Sequence, residues 1–321
     1  MTHLLRKHCT YKPITAMHTG VESNTTARRP THWSAIAAEL QDISTLGRRF
    51  LYIANPGNAG DALIASATWQ FFDDNVVKPR PARTRDIRAH DVVIYGGGGN
   101  LVPMYQDARA AIEKALQVGI ARFVLLPHTV RGHEDLLSTL DDRFSLYGRD
   151  TITCEHLLAH VGGARVAMAP DMALGTDVER LQQRAAALPA WWLLLWAGFH
   201  QRRRRSYRRW LDQSARVRPS ADGLLEVYRG DQESARHGGP SEMDLSGLYC
   251  SSLHHRNECD AVSARFLSVI EKASQVSTDR LHVGIGGQLL GKQVRLFDNS
   301  YGKNHAVAKA FPSLMTNVSL A

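Results

Sequence analysis

The residues with the clearest potential for chemistry lie near the carboxyl terminus, in the sequence Ser-Thr-Asp-Arg-Leu-His at residues 277–282. A strand before this sequence and a helix after it would place Arg280 and His282 in the first turn of the helix. Free N–H groups and the helix dipole favour an anion there, and an imidazole exchanges protons near neutral pH. We therefore expect an anion site with proton transfer, in which Asp279 caps the turn. The alternative for His282 is a buried histidine with satisfied hydrogen bonds.

Two further polar side chains follow predicted strands. Arg149 comes after an apolar run, and its planar guanidinium suits a carboxylate or a phosphate; the alternative is a surface ion pair with Asp150. Asp61 lies with Asn58 in a loop that leads into a helix. Its carboxylate can orient a hydroxyl group or accept its proton. Capping the helix is the alternative, and it is the commonest role of an aspartate at such a position.

Four consecutive glycines, residues 96–99, follow another apolar run. Without Cβ atoms the backbone can turn sharply and bring its N–H groups close to a ligand. The run has neither the spacing of a Walker phosphate loop nor that of the GxGxxG dinucleotide motif. A tight structural turn is therefore the alternative to a ligand-binding loop.

Apolar runs alternate with helical patterns along most of the chain, which predicts parallel sheets covered by helices on both faces. The predicted strands are residues 50–54, 91–95, 122–126, 191–197, 224–228, 275–277 and 293–297, with another at the start of 144–150; the predicted helices are residues 33–46, 62–72, 106–118, 261–274 and 281–290. We expect an α/β protein with two Rossmann-like domains that face a cleft.

The domain boundaries follow from the same pattern. We expect a partly disordered leader with a short helix over residues 1–48, an N-terminal domain over residues 49–177 and a C-terminal domain over residues 178–321. A basic stretch at residues 198–222 fits a loop or insertion better than a core element, and residues 236–240 fit a second loop.

The formal net charge of +8 is concentrated in one patch, since six arginines lie within residues 202–209. They follow a tryptophan-rich apolar run at residues 191–196, and this combination is typical of proteins that bind an anionic bilayer surface. The alternative is a buried strand followed by a solvated loop. We expect no nucleic-acid partner, because no recognised DNA- or RNA-binding motif accompanies the patch. The membrane interpretation predicts peripheral contact through residues 191–209.

The four cysteines are scattered, and neither they nor the histidines show a spacing typical of a metal site, so we expect no disulfide and no bound metal. No apolar run approaches the roughly 18 to 20 residues of a membrane span, and the first 20 residues lack the apolar core of a secretory signal. We expect a cytoplasmic protein that can contact the inner face of the plasma membrane.

Five motifs together resemble the polysaccharide pyruvyl transferase family, in particular its exopolysaccharide branch. They are Gly-Asn-Ala-Gly-Asp-Ala-Leu-Ile at residues 57–64, the glycines and asparagine at 96–100, Tyr-Gly-Arg-Asp at 147–150, Thr-Asp-Arg-Leu-His at 278–282 and Asp-Asn-Ser-Tyr-Gly-Lys-Asn at 298–304. The resemblance implies an architecture similar to B-type glycosyltransferases. It also implies phosphoenolpyruvate as co-substrate without a further cofactor, a pair of sugar hydroxyls as acceptor and a pyruvate ketal as product.

The resemblance implies that Arg280, Leu281 and His282 contact the donor, and Arg149 best matches a further donor-binding arginine of the family. From the chemistry of the residues we expect His282 and Asp61 to be catalytic. Residues 178–321 would form the donor side, where Lys303 adds positive charge to Arg149, Arg280 and Leu281. Residues 49–177 would form the acceptor side, where an exopolysaccharide or its lipid-linked precursor binds, and the expected acceptor-binding residues are Asn58, Gly60, Gly97, Gly98 and Asn100.

Two other functions fit the same residues. A nucleotide-sugar-dependent glycosyltransferase would use glycine loops and arginines for a diphosphate. A non-catalytic, membrane-associated assembly factor would keep the fold and use only the arginine patch. The complete set of residues 279–282 argues against a site that has lost its activity.

Overall fold

The computed structural model describes residues 32–188, 201–235 and 244–321, with only the backbone described at residues 201–204. In chain order, the strands are β1 (Phe50–Ile53), β2 (Gly57–Asn58), β3 (Arg80–Pro81), β4 (Val92–Tyr95), β5 (Gly98–Leu101), β6 (Arg122–Val130), β7 (Phe144–Gly148), β8 (Arg165–Met168), β9 (Leu224–Val227), β10 (Cys250–Ser251), β11 (Gln275–Thr278), β12 (Gln293–Leu296) and β13 (Val318–Leu320). The helices are α1 (Ser34–Ser44), α2 (Ala59–Asp74), α3 (Asp107–Val118), α4 (Glu134–Leu137), α5 (Thr151–His160), α6 (Val178–Ala186), α7 (Gln201–Ser214), α8 (Arg256–Ile270), α9 (Leu281–Leu289) and α10 (Lys303–Ala310).

The larger sheet is parallel and has the order β3-β1-β4-β6-β7-β8, with β5 paired to β6. All four residues of Val92–Tyr95 are buried, as expected for a strand covered on both faces. One apolar cluster joins this sheet to α3, α4 and α5, and a second joins its other face to α1 and α2. The predicted α/β class is therefore confirmed.

The smaller sheet has the order β13-β12-β11-β9 and is also parallel. Its core is continuous with the core on the α2 face of the larger sheet. The connection runs through α2, which is buried on nearly all sides because it packs against α8. The hydroxyls of Ser66 and Ser263, one from each helix, are 3.2 Å apart in this contact.

A short antiparallel ladder ties the two halves of the chain together beside the sheets. Asn58 of β2 pairs with Cys250 of β10, and Gly57 pairs with Ser251. The N–H of Ala59 also donates to the carbonyl of Ser246, at 3.1 Å. The loop after β1 is thereby held against the segment that precedes α8.

The basic stretch folds differently from the prediction. The expectation of a loop or insertion at residues 198–222 is wrong over Gln201–Ser214, which is helix α7. Arginine is a good helix former, and Tyr207, Trp210 and Ser214 lie three and four residues apart, which places them on one buried face. The arginines at 205, 208 and 209 are exposed. Packing of one face therefore turns a charged segment into an amphipathic helix.

Three predicted features lie outside the described residues: the leader up to residue 31, the strand at 191–197 and the loop at 236–240. The boundaries of the two predicted domains stay a prediction. Among the described residues, no helix has the length and apolar character needed to cross a membrane. None of the cysteines described forms a disulfide.

Candidate active site

The carboxyl ends of strands from both sheets meet at a cleft of about 730 Å³. This edge is where parallel α/β sheets bind their ligands. All residues predicted for catalysis and donor binding line the cleft, together with Asn58 and Asn100. Gly60, Gly97 and Gly98 are not part of its lining.

Arg149 follows β7 and is almost completely buried, with 1% of its surface exposed. Its Nη1 donates to Oδ2 of Asp171 at 2.5 Å, and its Nε donates to the hydroxyl of Thr129 at 2.9 Å. The alternative of a surface ion pair with Asp150 is wrong. Asp150 is itself buried, caps α5 through the N–H of Thr153 and pairs with a different arginine.

His282 lies in the first turn of α9, with its Nε2 3.5 Å from Oδ2 of Asp171. Burial alone would raise the pKa of Asp171, but the charge of Arg149, the contact with His282 and the N–H of Ala173 together outweigh it, so the pKa lies below the ordinary range. Asp171 is therefore a carboxylate that can orient the imidazole and stabilise its protonated form. The ring also lies against the backbone of Gly60, where a Cβ atom would be only 2.5 Å from Nδ1.

Asp61 caps α2, as the structural alternative predicted. Its Oδ2 accepts from the N–H of Asn58 at 2.8 Å, and the Asn58 side chain accepts in turn from the N–H of Gly60. Its other oxygen accepts from the Asn55 amide at 3.0 Å. Burial raises the pKa of Asp61 above its ordinary value. Capping and catalysis are compatible, because the same carboxylate lines the cleft.

Arg280 enters the cleft from the opposite side, directly after β11. Its guanidinium is held by both oxygens of Asp244, with Nε 2.8 Å from Oδ1, and by Oδ2 of Asp231 at 2.8 Å from Nη2. The expectation that Asp279 caps α9 is wrong, because the N-cap residue is Arg280. Oδ1 of Asp279 instead accepts from the backbone N–H of Arg229 and so ties the ends of β9 and β11 together.

Glu233 is the centre of a second buried network. Its carboxylate lies 2.6 Å from Nζ of Lys303 and 2.9 Å from Nη2 of Arg229, and it accepts hydrogen bonds from two tyrosines and an asparagine. Burial opposes its ionisation, but Lys303 and Arg229 lower the pKa of Glu233 to about 2. Burial also lowers the pKa of Lys303, to about 8, despite the attraction of Glu233.

The glycine run allows close packing at one position and the close approach of cations at another, and its role in ligand binding stays a prediction. A Cβ atom on Gly97 would approach the Pro127 carbonyl to 2.8 Å, so this position allows tight packing. A Cβ atom on Gly99 would lie 2.9 Å from Nη2 of Arg149 and 3.9 Å from Nζ of Lys303. Cations from the two sides of the cleft therefore converge where the backbone carries no side chain.

Of the remaining predicted residues, Asn100 and Leu281 line the cleft, and Gly98 lies beside a residue that does. Gly98 has φ of +150°, which favours glycine, and packs beside Asn55. Asn100 donates from its backbone to Nε2 of His128 at 3.1 Å, and burial with the nearby Arg149 charge lowers the pKa of His128 to about 3. Leu281 is buried at the start of α9 and reaches the cleft lining.

Sequence reasoning missed several charged residues of the site. Arg229 follows β9 as Arg149 follows β7 and Arg280 follows β11, so the rule of polar residues at strand ends could have found it. Asp171 follows β8, a strand that was not predicted. Sequence reasoning also missed the acidic residues that hold the cations, which are Asp231, Glu233 and Asp244. Asp231 and Glu233 pair locally with Arg229, but their contacts with Arg280 and Lys303 join residues that are distant in sequence.

Comparisons with known proteins agree with this geometry. A family model described as polysaccharide pyruvyl transferase matches residues 58–301. The fold resembles the crystal structure of a functionally uncharacterized protein from Klebsiella pneumoniae subsp. pneumoniae NTUH-K2044, with a TM-score of 0.68 and 26% sequence identity over 91% of this chain and 99% of that one. No curated protein gives a significant match. The match includes most cleft residues of both sheets, with Lys303 just beyond its end, and the chain belongs to the polysaccharide pyruvyl transferase family.

Proposed function

We propose that this enzyme transfers the enolpyruvyl group of phosphoenolpyruvate to two hydroxyls of a sugar and releases phosphate. The observation that carries the proposal is the position of His282. Its imidazole is backed by the Asp171 carboxylate and shares one cleft with four cationic side chains. A small, multiply charged donor that must also be protonated requires this combination. The four cations are Arg149, Arg229, Arg280 and Lys303.

In this proposal, the cations bind the donor at two places in the cleft. Arg149 directs Nη2 towards the space over Gly99, and Lys303 approaches the same space from the second sheet. Arg280 is bound by Asp231 and Asp244. We infer that the donor's phosphate or carboxylate replaces these two acids, because a guanidinium binds a carboxylate or a phosphate equally through two parallel hydrogen bonds.

The reaction moves two hydroxyl protons, one to the methylene carbon by way of His282 and one to phosphate. Protonated His282 gives its proton to the methylene carbon of phosphoenolpyruvate, which makes C2 electrophilic. One sugar hydroxyl adds to C2, the C2–O bond to phosphate breaks, and the second hydroxyl closes the ketal. One hydroxyl proton then returns to His282, and the other leaves with phosphate. Asp171 stabilises the imidazolium form of His282 before it donates its proton and after the proton returns.

Asp61 and Asn58 occupy the acceptor side of the cleft in this proposal. The raised pKa of the buried Asp61 makes its carboxylate a stronger base towards a hydroxyl proton. The acceptor would be an exopolysaccharide or its lipid-linked precursor, and two Rossmann-like units around a cleft would resemble B-type glycosyltransferases. No further cofactor is needed for these steps.

The test is phosphate release from phosphoenolpyruvate by the purified full chain, with and without a lipid-linked oligosaccharide extract. His282→Ala is the test variant and His254→Ala is the matched control, because His254 does not line the cleft. Acceptor-dependent release that is lost only in His282→Ala supports the proposal. Release of a nucleoside diphosphate from a nucleotide sugar instead would establish the glycosyltransferase alternative. The absence of both reactions, with vesicle binding retained, would favour an assembly factor.

Helix α7 supports a second part of the proposal, peripheral binding to an anionic membrane. Its buried Tyr207 and Trp210 fix the helix, and this directs Arg205, Arg208 and Arg209 into solvent. Each basic residue near an anionic bilayer contributes about 1 kcal/mol. Such a surface would hold a cytoplasmic enzyme at the inner membrane face, close to a lipid-linked acceptor.

Vesicle sedimentation tests this surface. The charge reversal Arg205→Glu with Arg208→Glu should abolish most binding to vesicles that contain phosphatidylglycerol. The same reversal at Arg85 and Arg88, which are also exposed, should have a smaller effect at equal net charge. Equal losses in the two double variants would show nonspecific attraction and contradict the α7 surface.

A further inference from the structure

Helix α5 carries two histidines on one face, outside the cleft. His156 and His160 are separated by four residues, and their ring centroids are 4.6 Å apart. Glu134, the first residue of α4, lies beside them, and one candidate ligand atom from each of the three residues is within 4.8 Å of the others. None of the three lines the candidate active site. Histidines four residues apart on a helix are spaced to bind one metal ion together.

The hydrogen bonds of both rings leave one nitrogen of each available. Nε2 of His156 is 2.9 Å from the carbonyl of Gly132, and Nδ1 of His160 is 2.8 Å from the carbonyl of His156. A carbonyl only accepts hydrogen bonds, so these ring nitrogens carry the protons. The opposite nitrogen of each ring then holds a lone pair. Metal-binding histidines are oriented in the same way by backbone carbonyls.

We propose that Glu134, His156 and His160 form a binding site for a divalent transition metal, with Zn²⁺ as the probe. Two imidazoles and one carboxylate suit Zn²⁺, Cu²⁺ or Ni²⁺ better than Mg²⁺ or Ca²⁺. Glu134 is exposed, so its side chain can move to complete the site. The sequence predicts no metal site because neither the cysteines nor the histidines show a typical spacing; His156 and His160 are four residues apart, and α5 places them on one face.

The site would link the two helices that follow β6 and β7. His156 already contacts the loop after β6 through Gly132. A metal shared with Glu134 would fix α4 against α5 and raise the thermal stability of the folded chain by mass action. The role is structural and does not depend on the proposed reaction.

The test measures Zn²⁺ binding to the full chain, purified without a histidine tag, by competition with a chromophoric chelator. The double variant His156→Ala with His160→Ala removes two ligands. The matched control is His254→Ala with His255→Ala, an adjacent pair outside the cleft. His160→Gln serves as a milder variant that keeps the His156 hydrogen bond to Gly132.

Wild type and control should bind one Zn²⁺ per chain with equal affinity, and Zn²⁺ but not Mg²⁺ should raise their melting temperatures. Loss of an outer hydrogen-bond partner already weakens metal sites about 10- to 100-fold, so loss of a ligand should cost at least as much. Glu134→Gln should weaken binding in the same direction. Unchanged Zn²⁺ affinity in the folded double or His160→Gln variant, or no binding by wild type, would overturn the proposal.

Discussion

The two sides of the cleft hold their cations in different ways. On the side of the larger sheet, Arg149 and Asp171 form a pair in which neither side chain is more than 1% exposed. On the side of the smaller sheet, Arg280 binds Asp231 and Asp244, whose side chains are 38% and 19% exposed. The Arg149–Asp171 pair belongs to the core, whereas Asp231 and Asp244 beside Arg280 reach solvent.

Because of this difference, we expect the Arg149–Asp171 pair to matter mainly for stability and Arg280 to matter mainly for ligand binding. A buried charge that loses its partner is strongly destabilising, whereas an ion pair near solvent contributes little. The larger sheet therefore supplies a fixed support for His282 through Asp171. The smaller sheet supplies Arg280, whose acidic partners reach solvent, while Arg229 and Lys303 are paired with the buried Glu233. Variants of matched residues on the two sides can test this division.

The largest effect on turnover is expected for His282, which follows the smaller sheet and contacts Asp171 of the larger-sheet side. His282→Ala should lower acceptor-dependent phosphate release by about 10²- to 10⁴-fold, the usual contribution of a positioned acid or base. Asp171→Asn should lower it less, because the imidazole stays in place but loses its charged partner. Steady-state kinetics measure both. A folded His282→Ala variant with normal turnover would contradict the proposed proton transfer.

Substitution of the two arginines separates the two sides most directly. Arg149→Met leaves Asp171 as a buried, unpaired charge and should lower the free energy of unfolding by about 3–5 kcal/mol. Arg280→Met should cost about 1 kcal/mol or less, since Asp231 and Asp244 reach solvent. Urea unfolding provides both values. Equal losses would show that the two pairs are equivalent, contrary to the comparison.

A smaller effect is expected from the backbone that supports His282. In Gly60→Ala, the new Cβ atom would lie 2.5 Å from Nδ1 and 2.8 Å from Cβ of His282, so the ring and the backbone that carries it must shift. A misplacement of this order can cost about 100-fold in rate, and the melting temperature should fall as well. Gly163→Ala is the control, because its Cβ would meet no atom closer than 3.6 Å. Equal turnover in the two variants would show that the position of the ring is not limiting.

The smallest effect concerns pH. Because the pKa of Lys303 is about 8, its charge is present below that pH and is lost as pH rises through it. Affinity for phosphoenolpyruvate should fall through the same range, and Lys303→Arg should remove this step, since arginine stays charged. Titration calorimetry at several pH values measures the affinity. A step that persists in Lys303→Arg would assign it to another group.

The lowered pKa of Lys303 also affects stability: donor affinity should fall as pH rises, whereas the contribution of Lys303 to stability should rise. The pKa of Lys303 lies below its ordinary value of 10.5, so the unfolded chain binds more protons than the folded chain between about pH 8 and 10.5. The contribution of Lys303 to the free energy of unfolding therefore rises with pH across that window. Its contribution should be absent from Lys303→Met, which urea unfolding at the two pH limits can check.

Much of the fold could be predicted from local patterns. Continuous apolar runs followed by glycine or polar turns indicated β1 and β4, and the fold class and the family are confirmed. The short strand β8 was missed because its residues are partly exposed and alternate weakly with polar neighbours. Helix α7 was mistaken for a loop, since arginine content alone does not show that Tyr207 and Trp210 are buried on one face.

The sequence by itself determined which side chains stand at strand ends, because turn residues and apolar periodicity are local properties. Arg149, Arg280 and His282 were identified in this way. Only the tertiary structure decided their partners. Asp171 lies 22 residues from Arg149, and Glu233 lies 70 residues from Lys303. Each pair exists because parallel strands of one sheet end at the same edge and bring their following loops together, and no local pattern encodes that packing.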